Sequence, residues 1–251
     1  MTNRLIKLPK KGRLLIFTDL HGNLEDYKKY LDKWDSNDPD CYIVISGDFI
    51  HSIYKEDYSI EILEDIMDKY ERYDNFYPLL GNHEWSHIIN GNLFKANINL
   101  RLEFEKLIME KKGYLEPYLT GYVEFFKSIP FFIQSENGIF ISHAGPSNLI
   151  ENYQDFKDFI KDEEYYSELV WSFLSQRPEI DYDEEDINYF LDLVKSNFMV
   201  VGHTAVNGYM IYGKQIVLSS SFSKGDKYYL DIDLSKSMNT MDDLRKCLKE
   251  L

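Results

Sequence analysis

The chain has 251 residues, 44% of them hydrophobic, enough for a sizeable core and more than a disordered or fibrous chain carries. Its 43 acidic against 28 basic residues give a formal charge of -15, which disfavours long-range attraction to nucleic acid or to an anionic membrane surface. No apolar run approaches the length of a bilayer span, so no membrane association and no stable nucleic-acid binding are expected.

The run Arg13–Thr18 is short, apolar and bounded by charges, and the turn formers from Asp19 to Asn23 end it, so it reads as a strand leading into a polar loop. Leu24, Tyr27, Leu31 and Trp34 then recur at helical spacing. Cys41–Ser46 is almost continuously apolar and predicts a strand covered on both faces. After Gly47 and Asp48, the segment from Ser59 to Tyr73 repeats the helical pattern through Ile62, Ile66, Met67 and Tyr70. Phe76–Leu80 predicts a third strand, placed at an edge or bulge by Pro78, and Gly81-Asn82-His83-Glu84 interrupts it.

Three strand, loop and helix units in succession indicate an α/β layered fold, with functional loops beyond the carboxyl ends of the strands. Leu93 to Lys112 reads as a charged helix, and two β runs around Glu136, Asn137 and Gly138 read as a hairpin. Residues 151 to 196 read as helices, and the acidic run Asp181–Asp186 as a charged face or N-terminal cap. Four successive strands of a second sheet region follow from Phe198 to Leu234, and a last helix from about Ser237 carries Leu244, Leu248 and Leu251. The whole chain is expected to form one domain, with a helical insertion or cap at about residues 147–196.

Four of the six histidines directly follow strand-like runs: His21, His83, His143 and His203. A single histidine at a strand end is ordinarily a hydrogen-bonded surface residue, but strand ends of a layered α/β fold converge, so four of them can meet. Asp19 and His21 are two residues apart on extended chain and point to one side, where together they can grip a cation. Asp48 offers a carboxylate able to bridge two cations about 3.5 to 4 Å apart. Asn82, His143 and His203 would complete the ligands of a second cation, and the mixed nitrogen and oxygen donors suit Mn, Fe, Zn or Co over Ca.

Two such ions would activate a water as the attacking hydroxide at phosphorus, opposite the leaving group and without a covalent phosphoenzyme. His83, spare of the ligand set, would then be the catalytic residue, protonating the leaving oxygen or stabilising the charged equatorial oxygens. Ser219, Ser220 and Ser221 lack the context of a nucleophile elbow and read as strand polarity.

At these residues the chain resembles the calcineurin-like metallophosphoesterase superfamily, in its branch of serine/threonine protein phosphatases and symmetrical diadenosine tetraphosphatases. The matching blocks are Asp19-Leu20-His21-Gly22, Gly47-Asp48, Gly81-Asn82-His83-Glu84, His143-Ala144-Gly145 and Gly202-His203-Thr204, in family order. The resemblance implies a four-layer αββα sandwich around a pair of mixed β-sheets. It also implies two divalent transition-metal ions, Mn²⁺ or Fe/Mn with Zn²⁺ as an option. Asp19, His21 and Asp48 would hold one ion, and Asp48, Asn82, His143 and His203 the other.

The second block departs from the family pattern. Where the family has an aspartate that orients the catalytic histidine, followed by a phosphate-binding arginine, this chain has His51 and Ser52. Glu84 and Asp57 are the candidates to orient His83, and Arg177 and His51 the candidates to bind substrate. His87 reads as decoration of the following helix and Arg101 as a solvated helix residue.

The expected function is a phosphoesterase acting on a phosphate monoester, in a small molecule, a nucleotide or a serine/threonine phosphoprotein. A dinucleoside polyphosphate or nucleotide phosphohydrolase is the alternative, and a non-catalytic interaction domain stiffened by its metals is a third reading. Two widely separated cysteines, Cys41 and Cys247, and a first stretch without the apolar run of a signal peptide fit the cytoplasm. The sequence leaves the oligomeric state open.

Overall fold

The computed structural model describes residues 4–52, 56–161 and 167–251. Ile53, next to the second motif, and residues 162–166 of the expected helical stretch lie outside them. In chain order the elements begin β1 (Leu5–Leu8), β2 (Arg13–Phe17), α1 (Leu24–Lys33), β3 (Cys41–Ile45), α2 (Ser59–Arg72), β4 (Phe76–Pro78) and α3 (Asn82–Ile88). There follow β5 (Phe94–Lys95), β6 (Ile98–Asn99), α4 (Leu100–Lys112), α5 (Tyr118–Ser128), β7 (Phe132–Ser135) and β8 (Ile139–Ile141). The rest is α6 (Tyr153–Lys161), α7 (Ser167–Ser175), α8 (Glu184–Val194), β9 (Phe198–Val201), β10 (Tyr209–Tyr212), β11 (Gln215–Leu218), β12 (Tyr228–Asp233), α9 (Met241–Arg245) and β13 (Leu248–Glu250).

Eleven of the thirteen described strands form two mixed sheets. One has the order β13-β12-β2-β3-β4, parallel from β2 to β4; the other has the order β1-β7-β8-β9-β11-β10, with β8, β9 and β11 parallel. Alternation of side chains along each strand decides what each face meets. Leu14 and Ile16 of β2, Val44 of β3, Ile139 and Ile141 of β8, Val200 of β9 and Ile216 of β11 form a cluster between the sheets. The intervening residues Leu15, Phe17, Ile43, Phe140, Met199 and Val217 face outward into the second cluster, which includes the helices.

Tyr27 and Tyr30 of α1 and Ile62 and Ile66 of α2 belong to that outer cluster; Tyr30 stacks on Phe17 of β2 at 4.2 Å between centroids. On the other sheet, Phe156 of α6, Phe173 of α7 and Phe190 of α8 pack around Phe132 and Phe140. The fold is thus the four-layer α/β sandwich, and the aromatic load of the sequence goes largely into its outer packing.

Several elements differ from the sequence expectation. The helix expected from Leu93 starts at Leu100, because a hairpin of β5 and β6 precedes it. Its turn residues Ala96 and Asn97 both have positive φ, 47° and 66°, as a two-residue primed turn requires, and alanine gives little warning of that. The expected last helix is five residues long; Leu248 pairs with Leu230 in β13 instead. The strand β12 does not join the second sheet region but returns to pair with β2, which makes β2 a central strand. Pro78 lies on β4, an edge strand, where its missing N–H costs no ladder bond. Asp183 caps α8 by accepting from the amides of Glu185 and Asp186, so the acidic run is a cap.

Replacing Ile16, fully buried between the sheets, with alanine is expected to cost ~2–5 kcal/mol in urea unfolding. The same change at Ile180, 78% exposed, should stay within about 0.5 kcal/mol.

Candidate metal centre

Five strands deliver the expected residues to one end of the sandwich. Asp19 and His21 follow β2, Asp48 follows β3, and Asn82 and His83 open α3 after β4. His143 follows β8 and His203 follows β9, so the site draws on both sheets. Sharp loops aim these side chains: His21, Asp48, His51 and His203 all have left-handed backbones, with φ of 46°, 54°, 63° and 60°. Such conformations cost free energy and persist only where the surroundings enforce them, which is typical of functional sites.

Glycine makes room at two crossing points. A Cβ on Gly47 would stand 2.7 Å from the Gly81 Cα, where two of the loops cross. One on Gly202 would collide with the Asp19 carboxylate.

Asp48 is at the centre. Its Oδ1 accepts the His83 backbone N–H at 3.0 Å, while its Oδ2 lies 3.8 Å from His21 Nε2, 3.7 Å from His83 Nε2 and 3.5 Å from His143 Nε2. Two sets of donor atoms converge within 4.8 Å: His21, Asp48 and His83 in one, and Asp48, His143 and His203 in the other. Asn82 joins the second set, its Oδ1 being 3.0 Å from both His143 Nε2 and His203 Nδ1.

The hydrogen bonds on the far sides of the rings fix which atoms are free. His143 Nδ1–H donates to the Ser46 carbonyl at 2.6 Å and His21 Nδ1–H to the Ile50 carbonyl at 3.4 Å, as backbone carbonyls commonly orient metal-bound histidines. With Nδ1 engaged, each ring turns its Nε2 toward carboxylate or amide oxygen, leaving that nitrogen to serve as the donor. Lone pairs facing one another in a buried site repel, and a cation between them turns that repulsion into coordination. The donor set therefore fits two divalent ions, and its mixture of imidazole, carboxylate and amide oxygen suits Mn, Fe or Zn.

Asp19 belongs to neither three-residue cluster among the described residues. Both of its oxygens accept the His203 backbone N–H at 3.0 Å, and its carboxylate faces Asp48 and His143. Burial pushes its carboxyl up to about 7, and Asp48 also rises, through burial and then the neighbouring Glu84. His21 is pulled down to about 3 by burial and then by the charge of Lys95. His83 and His203 are lowered too, first by burial and then by neighbouring imidazoles. With no substrate bound, burial thus favours the neutral, donor-competent form of His21, His83 and His203.

Neither candidate to orient His83 makes that contact. The Glu84 carboxylate is occupied with backbone amides, accepting from Asp48 at 2.9 Å, Phe49 at 2.9 Å and Gly81 at 3.1 Å, and so ties the β3 loop to the start of α3. Asp57 accepts from the Ser59 amide at 2.8 Å and lies against Gly22. His51 takes the place beside His83: the two Nδ1 atoms are 3.0 Å apart. His87, expected as helix decoration, is buried 2.9 Å from His51, Nε2 to Nε2.

A cavity of about 330 Å³ opens on the site, and Arg177 is among the residues that line it. Sequence reasoning missed Lys95, which lines the same cavity with its ammonium 4.7 Å from the Phe222 ring centroid. Lys95 lies on the hairpin that the sequence conceals, and no motif marks it. Arg101 is not solvated: it pairs with Glu105 and is largely buried on the side of His87.

The calcineurin-like phosphoesterase family profile matches residues 12–207, which include every donor described above. The chain belongs to that family. This phosphoesterase is similar in structure to a protein serine/threonine phosphatase from Saccharomyces cerevisiae, with 18% identity, a TM-score of 0.71, and coverage of 92% of this chain and 77% of that one. It is also similar to a cold-active protein-tyrosine phosphatase of a psychrophilic Shewanella, with 14% identity, a TM-score of 0.62, and coverage of 93% and 78%. No curated protein sequence matches it significantly. Family membership and the two donor sets together make the chain a metal-dependent hydrolase of phosphate esters with a dinuclear divalent-metal centre. Among the described residues no helix is long and apolar enough to cross a membrane.

Because Asp48 belongs to both donor sets, Asp48→Asn should weaken both ions by more than ~100-fold, a larger effect than removal of an outer partner, as metal titration would read. The pH dependence of metal loading has a definite sign. The Asp19 carboxyl is raised from 3.8 to about 7, so the metal-free fold holds a proton there that the unfolded chain has lost, and its stability declines as pH rises through that window. A cation displaces that proton, so thermal stabilisation by Mn²⁺ should be much larger at pH 8 than at pH 5 in a melting assay.

Proposed function

We propose that this phosphoesterase hydrolyses a phosphate monoester, with its metals held by Asp19, His21 and Asp48 on one side and by Asp48, Asn82, His143 and His203 on the other. Bound there, the ions would supply an activated water as nucleophile and offset charge on the phosphoryl oxygens. The observation that carries this reading is Asp48 Oδ2, a single buried oxygen among three imidazole nitrogens at the foot of a cavity. Asp19 is included as a ligand because its buried carboxylate faces the cluster and gives up its proton near neutral pH only.

The chain's own groups divide the remaining work. Arg177 and Lys95, both lining the cavity, would bind the phosphoryl oxygens, a task that the family's missing arginine leaves open. His51, also a candidate for substrate, is 3% exposed behind His83 and better suited to supporting that ring. His83 Nε2 faces the cavity and would deliver a proton to the leaving oxygen. The two sets of donors also favour catalysis over a purely structural role, since a stiffening site has no need of an open cavity with two cations on its wall.

The substrate is proposed to be a phosphorylated small molecule, nucleotide or serine/threonine phosphoprotein. A second reading, a dinucleoside polyphosphate or nucleotide phosphohydrolase, is favoured by Phe94, 64% exposed, and Phe222 at the cavity, since aromatic rings stack on bases. One catalytic domain is proposed for the chain, with α6 to α8 as its outer layer more than as a cap. The two free cysteines support a reducing, cytoplasmic setting.

Assay with Mn²⁺ of phosphopeptides, nucleoside monophosphates and diadenosine polyphosphates separates the readings: turnover of the last alone rejects the monoester proposal. His83→Asn should retain both ions while kcat falls about 10²–10⁴-fold. Loss of an ion in that variant would instead make His83 a ligand alongside His21 and Asp48.

A further inference from the structure

Three of the six histidines form a chain leading away from the metal ligands. His83 Nδ1 lies 3.0 Å from His51 Nδ1, and His51 Nε2 lies 2.9 Å from His87 Nε2. His51 and His87 are buried, and Phe104 meets both rings edge-on, at 75° and 67°. Two ring nitrogens at such a separation must share one proton, since two protons or two lone pairs there would repel. Each link therefore has a polarity.

We infer that His51 is a positioning residue for His83, accepting the His83 Nδ1 proton at its own Nδ1 while its Nε2–H donates to His87 Nε2. The inference rests on His83 being the proton donor of the reaction. With the phosphoryl anion bound, His83 enters the donor step as the imidazolium, protonated at both ring nitrogens; its Nε2–H bond breaks and an O–H bond forms on the leaving oxygen. His83 is left as the neutral Nδ1–H tautomer, still donating to His51, and no proton moves in His51 or His87. The opposite polarity, with His51 donating, would leave His83 without a ring proton, as an imidazolate.

The Arg101 guanidinium facing His87 disfavours a second cation there and suits His87 to the acceptor end. His51 thus does with a nitrogen lone pair what a carboxylate oxygen does elsewhere, and His87 sets which of its nitrogens has the lone pair. Its left-handed backbone, φ 63°, turns the ring into this line.

Two measurements test this. In ¹⁵N-histidine-labelled protein, metal-free and Zn²⁺-loaded, scalar couplings across both N–H···N links are expected, with the protons on His83 Nδ1 and His51 Nε2. Absent couplings, or protons on His51 Nδ1 and His87 Nε2, would overturn the inference. Kinetically, with metal content verified, His51→Ala should lower kcat/KM by about 10²-fold or more for an alkyl phosphate but only several-fold for 4-nitrophenyl phosphate, whose leaving group needs little protonation. His51→Asn tolerates the positive φ and keeps an acceptor oxygen near the Nδ1 position, so it should restore the alkyl ester to within about tenfold of wild type. Equal losses on both esters, unrelieved by asparagine, would reduce His51 to a structural role. Wild-type protein inactive on both esters would overturn the phosphate-monoester reading beneath it, whereas reversed couplings in an active enzyme overturn the positioning role alone.

Discussion

The site depends on one buried carboxylate held where it has every electrostatic reason not to be. Asp48 is surrounded by three imidazoles and lies near a second buried acid, Glu84. Without cations, burial favours its protonated form. The backbone around it is organised to keep it in place all the same: Glu84 accepts the amides of Asp48 and Phe49, the His83 amide holds Oδ1, and the left-handed turn at Asp48 turns the side chain inward. The fold thus invests its local strain in a position that only positive charge makes comfortable.

Much of this was legible because it follows from short-range rules. The short apolar runs from Arg13 and Cys41 and the helical stripes of α1 and α2 identified a layered α/β chain, and the blocks at Asp19, Asp48, Asn82, His143 and His203 marked the loops that carry the site. What escaped the reading was set by partners distant in sequence. Leu248 looks helical beside Leu244 and Leu251, yet β12 offers it a strand edge. Glu84 adjoins His83 in sequence and Asp57 follows the second motif, which suggested them as its partners, but backbone amides claim both.

Lys95 and the His51–His87 pair show the same limit in the site. No spacing rule joins residue 95 to residue 222, and a histidine in a helix turn carries no signal that its ring points inward. Composition did hold a clue. The chain has six histidines, and all six lie in or next to the donor clusters, a concentration apparent only once the strands are laid side by side.

The donor clusters are divided between the sheets, with His21, Asp48 and His83 after strands of one and His143 and His203 on loops of the other. An ion bound by both groups is a cross-brace at the rim of the sandwich. Loading the centre would then be felt along the strands as slower amide exchange in both halves at once, making the cofactor a mechanical fastener of the protein as well as its chemistry.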